Sequence, residues 1–194
     1  FFVDPTGLAF PLVLWVVAKV AFAEQAEGSL VLDASGRVVG SSLLGQGFVK
    51  PEYFHPRPSA AGRGYDAANS SGTNLGPTSD KLVNGIQDDP ATKDMDETYL
   101  GFRDLARAYR QENGLAPDAL VPADAPTRSA SGLDPHISPA NALLQSGRVA
   151  RARNLPLHRV GQLVAQHTEG RTLGLFGEPR VNVLLLNLAV DELK

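Results

Sequence analysis

The sequence predicts an α+β protein: a small mixed sheet, made of an N-terminal hairpin plus a C-terminal strand, flanked by helices and long ordered loops, behind one N-terminal transmembrane helix whose start is missing. Three observations predict it. The first two dozen residues are apolar almost throughout. Two strand-like runs follow around a tight turn, and another apolar run closes the chain. Between them, helical periodicity alternates with stretches rich in Gly and Pro, of which the 194 residues hold 19 and 14. That usage is above average and calls for many turns and fixed loops. The expected division is 1–26, a partial transmembrane helix, and 27–194, an extracytoplasmic α+β domain.

Leu8 to Phe22 reads LAFPLVLWVVAKVAF, apolar except for Lys19. Fifteen residues rise about 23 Å, short of the roughly 30 Å hydrocarbon core. A secretory signal core would need a basic leading flank and a small-residue cleavage site. Asp4 and Phe22-Ala-Glu-Gln25 supply neither. A buried helix of a soluble domain would show a polar stripe. The remaining reading is the second half of a membrane-spanning helix, with Lys19 snorkelling and Trp15 near headgroup level. From Val20 to Gly36 there is no Lys or Arg, while Glu24, Glu27 and Asp33 are present. A cytoplasmic flank ordinarily carries basic residues there, so the bulk of the chain is expected outside.

Ser29–Leu32 and Val38–Leu44 flank Ala34-Ser-Gly-Arg37, the pattern of a β-hairpin. Gly47 to Thr78 has no periodicity, yet Phe48, Tyr53, Phe54 and Tyr65 are large anchors. It is expected to be an ordered, packed loop. Leu82, Val83 and Ile86 make a short helical stripe that Pro90 ends. A helix is expected over Asp96–Asn113, with Gly114 as its C-cap. Ser138-Pro139 is a helix start, with Ser as cap and Pro in the first turn. That helix should run to about Arg153, and a second from Leu157 to about His167, after the Leu155-Pro156 break. Val181 to Val190 is rich in branched apolar residues and reads as a buried strand.

Composition excludes several function classes. The net charge of −3 lacks the basic footprint of a nucleic-acid binder. The chain has no Cys, so disulfides, thiolate metal sites and Cys nucleophiles are ruled out. Four scattered His residues suggest no metal site. No Gly-Lys pair exists for a Walker A loop. Gly62-Arg-Gly64-Tyr-Asp-Ala67 fits a dinucleotide fingerprint as letters but follows no apolar strand. Asp134-Pro-His136 with Ser138 could be drawn as a hydrolase site, but a turn that caps the following helix explains the same residues. Arg148, Arg151 and Arg153 share a helix and are expected on a solvated face. Arg57, held between two prolines, suits a buried ion pair or a docking contact equally.

Six segments occur in order: Gly40-Ser-Ser-Leu-Leu-Gly-Gln46, Tyr53-Phe-His-Pro-Arg-Pro-Ser-Ala60, Ser71-Gly-Thr-Asn-Leu-Gly-Pro77, Ser131-Gly-Leu-Asp-Pro-His-Ile-Ser-Pro139, Arg148-Val-Ala-Arg-Ala-Arg153 and Gly174-Leu-Phe-Gly-Glu-Pro-Arg-Val-Asn-Val183. Together they closely resemble the family of C subunits of the bacterial potassium-transporting Kdp ATPase, from about Gly7 to the end. The resemblance implies a non-catalytic subunit in the bacterial inner membrane, with a channel-like A subunit, a P-type B subunit, a small F peptide and membrane lipid as partners. The D-K-T-G motif of P-type ATPases is absent. No cofactor of its own is implied; the complex transports K⁺. Two roles follow. One is a scaffold that stabilises the complex and its K⁺ entrance. The other is a catalytic chaperone that raises the ATP affinity of the B subunit, with Gln46, Arg57 and Ser59 as the implied nucleotide residues. A domain outside the membrane cannot reach cytoplasmic ATP, which favours the scaffold. A third reading, independent of the resemblance, is an extracytoplasmic hydrolase using His136.

Overall fold

The computed structural model describes residues 3–33, 35–87 and 98–193. The chain divides into two compact units, Phe1–Leu43 and Leu44–Lys194.

In the first unit a π-helical turn, Pro5–Ala9, leads into helix α1, Phe10–Ala21. At Phe22 the backbone leaves the helical region (φ −135°, ψ 44°), and a single turn, α2, Ala23–Ala26, follows. Lys19 pairs with Glu27. Helix α1 is 12 residues long, about 18 Å, and buries none of its side chains. Among the described residues no helix is long and apolar enough to cross a membrane. This overturns the expected transmembrane helix. The apolar run passes from a π-helical turn into α1 and is cut by the break at Phe22, so composition overstates the length of regular α-helix. Strands β1, Leu30–Leu32, and β2, Val38–Ser41, pair antiparallel as the expected hairpin, with a bulge between Val31 and Leu32. Asp33 fixes its turn by accepting from Ser35 N and Oγ and from Arg37 N and Nε.

The second unit is built on helices. α3 spans Asp80–Asn84, capped by Ser79, and α4 spans Phe102–Asn113, ending on Gly114 at φ 68°. Pro90 and Asp96 lie outside the described residues, but the expected helical runs are too long: Ile86 and Tyr99 exchange backbone hydrogen bonds as an isolated antiparallel bridge, so α3 ends before Ile86 and α4 starts only after Gly101. After strand β3, His136–Ile137, come α5, Pro139–Arg153, and α6, Leu157–Gln166. Both match the spans expected from their Ser-Pro and Leu-Pro boundaries. Strands β4, Thr168–Glu169, and β5, Arg180–Asn182, lead into α7, Val183–Glu192.

Two expectations about the sheet fail. The C-terminal apolar run is a strand for three residues only and then a helix. Asn182 caps that helix by accepting from Leu185 N at 3.2 Å, and a continuous apolar run carries no period to tell the two states apart. The hairpin and the C-terminal strand also share no sheet. β5 lies between β3 and β4 in a separate three-stranded sheet, and among the described residues every strand pairing is antiparallel, so no mixed sheet forms there.

The core of the second unit sits where α5, α6 and α7 meet this small sheet. Phe54, Ile137, Val149, Val160, Val164, Val181, Leu186 and Val190 are all buried in one cluster. Phe54 comes from the long loop, which is ordered as expected and has only one 3₁₀ turn, Ala67–Asn69.

Candidate functional site

The residues singled out in the sequence converge on one turn, Ser131–Asp134. Gly45 N, next to Gln46, donates to Leu133 O at 2.7 Å. Ser59 Oγ donates to Gly132 O at 2.6 Å and accepts from Ala61 N and Tyr65 N. Arg57 Nη1 donates to Asp134 Oδ2 at 2.9 Å. Its other nitrogens reach Thr127 O, Thr127 Oγ1 and Arg128 O at 3.3–3.4 Å. The rigid Pro-Arg-Pro therefore presents its guanidinium to a half-buried ion pair and three further oxygens of the same unit. Gln46 is half-buried in the segment just before this clasp.

Gly132 lets the clasp close. Its φ is 69°, and a Cβ there would lie 2.7 Å from both Ala61 N and Ser71 O. Only glycine accepts that backbone without strain and that approach without a clash. Gly132→Ala is expected to lower stability by roughly 2–4 kcal/mol, from backbone strain plus overpacking. Urea unfolding of the two chains measures the difference.

Asp134 carries the electrostatics. Burial alone would push its carboxyl up. The hydrogen bonds from the His136 ring and backbone N–H, with the Arg57 guanidinium, outweigh burial and hold it at about 2. A folded value below the unfolded one means that the stabilisation is complete above about pH 4 and is lost as pH falls towards 2. Unfolding midpoints between pH 2 and 5 should fall more steeply in the native chain than in Asp134→Asn, which has no carboxylate to protonate.

Ser138 opens α5 as expected. Its Oγ accepts from Asn141 N at 3.1 Å and donates to Asp124 Oδ1 at 2.8 Å. Its proton thus goes to Asp124. His136 pairs through its backbone with Asn182 in the sheet, and its Nδ1 lies 3.4 Å from Asp134 Oδ1. The turn-and-cap account of these residues therefore describes their hydrogen bonds, and no bond joins His136 to the Ser138 hydroxyl among those formed here. A cleft of about 520 Å³ opens over the cluster, lined among others by Arg57, Asp134, His136, Ser138, Glu178 and Arg180. The two arginines on its wall are both paired, Arg57 with Asp134 and Arg180 with Glu169. Among the described residues no group of His, Asp or Glu could hold a metal ion.

Beneath the clasp runs a polar network that the sequence did not reveal. Gln145 Oε1 accepts from His55 N at 2.7 Å, and its Nε2 donates to His55 O at 3.0 Å. Asn187 treats Phe54 the same way, at 2.8 and 2.9 Å. Two side-chain amides thus stand in for a neighbouring strand. Arg148 is 5% exposed. It donates to Pro51 O, Tyr53 O, Asn113 Oδ1 and Gln145 Oε1. Arg153 reaches Glu52 O at 2.7 Å and Asp191 Oδ1 at 2.5 Å, with its guanidinium over the Tyr53 ring. The expected solvated arginine face is therefore wrong for Arg148 and Arg153; Arg151 is exposed. Burial pushes the Glu112 carboxyl up, but the His55 ring and Arg148 outweigh it and hold the group below its ordinary value. The one available signal was Asn141, Gln145 and Asn187 standing among apolar helix neighbours, where an uncompensated amide would be costly.

The chain is similar to known proteins over nearly its whole length. A family described as KdpC: K+-transporting ATPase, c chain, matches residues 1–192. A protein of Myxococcus xanthus called potassium-transporting ATPase KdpC subunit is 54% identical over 188 residues, covering 96% of this chain and 80% of that one. Proteins with the same name from Mycobacterium tuberculosis and a Caulobacter species are 49% identical over 188 residues and 51% identical over 185. They cover 97% and 95% of this chain, and it covers 90% and 85% of them. The chain is thus a subunit of a potassium-transporting ATPase complex, with a role in potassium transport. The chain belongs to the KdpC family, the c chains of these ATPases.

Proposed function

We propose that this subunit stabilises the assembled potassium pump and its K⁺ entrance, packing against the channel-like A subunit beside the P-type B subunit and the F peptide, and catalyses no step itself. The observation that carries this reading is where the nucleotide candidates spend their hydrogen bonds. Arg57 is directed to Asp134, Thr127 and Arg128, and Ser59 to Gly132. Both hold the fold's central turn, and the chain has no Gly-Lys phosphate loop. The alternative is the catalytic chaperone that helps the B subunit to hold ATP through Gln46, Arg57 and Ser59.

Calorimetry separates the two. The full chain titrated with ATP should give no heat of binding in the micromolar range. A micromolar site that is lost in Arg57→Ala, in a chain still folded by near-UV CD, would favour the chaperone. We place the larger unit on the extracytoplasmic face of the membrane-associated complex. Because the chain has no Cys, Ser35→Cys introduces a unique thiol in the exposed hairpin turn. A membrane-impermeant maleimide should label it in cells with an intact inner membrane. Labelling only after lysis would put the chain on the side of ATP and sink the scaffold reading.

A further inference from the structure

The loop between β4 and β5 takes no part in the clasp. Past the Glu169–Arg180 pair, Thr172 and Phe176 exchange both backbone hydrogen bonds at 2.9 Å. Arg171 Nη2 donates to both carboxylate oxygens of Glu178 at 2.7 Å. On this braced loop Leu173 is 88% exposed, Leu175 69% and Phe176 61%. Leu173 holds φ at 55°, in the left-handed region, beside Gly174 at 72°. Singly exposed leucines are ordinary, but three large apolar side chains within four residues form a patch that marks an interaction site. A leucine kept at positive φ shows that the bridge and the ion pair hold the tip in shape against local preference.

Charge decides what the tip fits. The cations at its neck, Arg171 and Arg180, are each paired with a glutamate, Glu178 and Glu169. The neck therefore carries no net positive charge for anionic lipid headgroups, which attract clustered unpaired Lys and Arg. A braced backbone is of most use against a shaped partner, because little ordering remains to be lost on binding. We infer that Leu173, Leu175 and Phe176 form a preformed knob that docks into an uncharged apolar pocket on another protein subunit of the potassium-transporting complex. The inference rests on the assembly reading and gives it a contact point.

The test uses the full chain co-expressed with the other subunits, carrying a photo-crosslinking benzoyl-phenylalanine at position 176. Irradiation should join it to another protein subunit. Crosslinks to lipid alone, or none in an intact complex, would overturn the knob while leaving the assembly reading in place. The assembly reading itself fails if the other subunits purify as an equally stable complex without this chain. In parallel, Leu173→Gly suits the positive φ and removes the side chain, and Phe176→Ser removes the ring. Both should leave the unfolding midpoint of the chain unchanged or higher and cut its retention in the complex at least tenfold. Unchanged retention in both would also overturn the knob.

Discussion

Arg148→Ala should be among the most damaging single changes in the second unit, at roughly 3–5 kcal/mol. The guanidinium is buried and serves two main-chain carbonyls, Pro51 and Tyr53, as well as Asn113 and Gln145. Truncation leaves those carbonyls without this donor. Glu112, whose Oε1 lies 3.8 Å from Arg148 Nε, also loses a positive neighbour. Arg148→Lys should recover only part of the loss, since one ammonium cannot reach oxygens spread around the edge of a guanidinium plane. Urea unfolding followed by near-UV CD would show the ranking native, then Lys, then Ala. Equal midpoints for all three would mean that the helix face tolerates solvation and that the network is incidental.

Phe54→Ala should cost a similar amount for a different reason. The ring is fully buried among Val149, Val160 and Leu186 in the core cluster. Its removal forfeits the transfer energy of the ring and leaves a cavity that three helices cannot easily close, together roughly 3–5 kcal/mol. The Asn187 amide should still hold the main chain of residue 54, since it bonds only N and O. The denaturant midpoint should therefore fall with an unchanged slope, the signature of lost stability in a state of the same compactness. A changed slope would show that the loop has come away from the helices.

The contrast between these two residues shows what could be read from the sequence. Phe54 stood out as a large anchor in a loop without periodicity, because burial of an aromatic needs no knowledge of its partner. Arg148 reads as one of three arginines on a solvated face, because its main-chain acceptors lie 95 and 97 positions away and no local rule points to them. The same division runs through the fold. Helices α5 and α6 were legible from Ser138-Pro139 and Leu155-Pro156, whose effects are confined to neighbouring residues. Strands β3 and β4, two residues each, exist only because β5 lies between them. Helix α7 reads as strand because its apolar run is continuous. The N-terminal run reads as a membrane span because its composition hides the break at Phe22. In the site, Arg57 is legible from its two flanking prolines and Ser59 only through the resemblance, and nothing local joins either to the turn they clasp.

The amides of Gln145 and Asn187 also bear on how the chain reaches its fold. They join residues 90 and 133 positions apart. Contacts of such separation form late, because a long stretch of chain must close before they return any energy. The Pro51–Pro58 segment has no regular hydrogen-bonded structure of its own to hold it meanwhile. During synthesis it must wait, unlatched, until the residues of α7 have left the ribosome. The Pro51–Pro58 segment would then be made well before it can be latched, and its quality control would fall on helix α7.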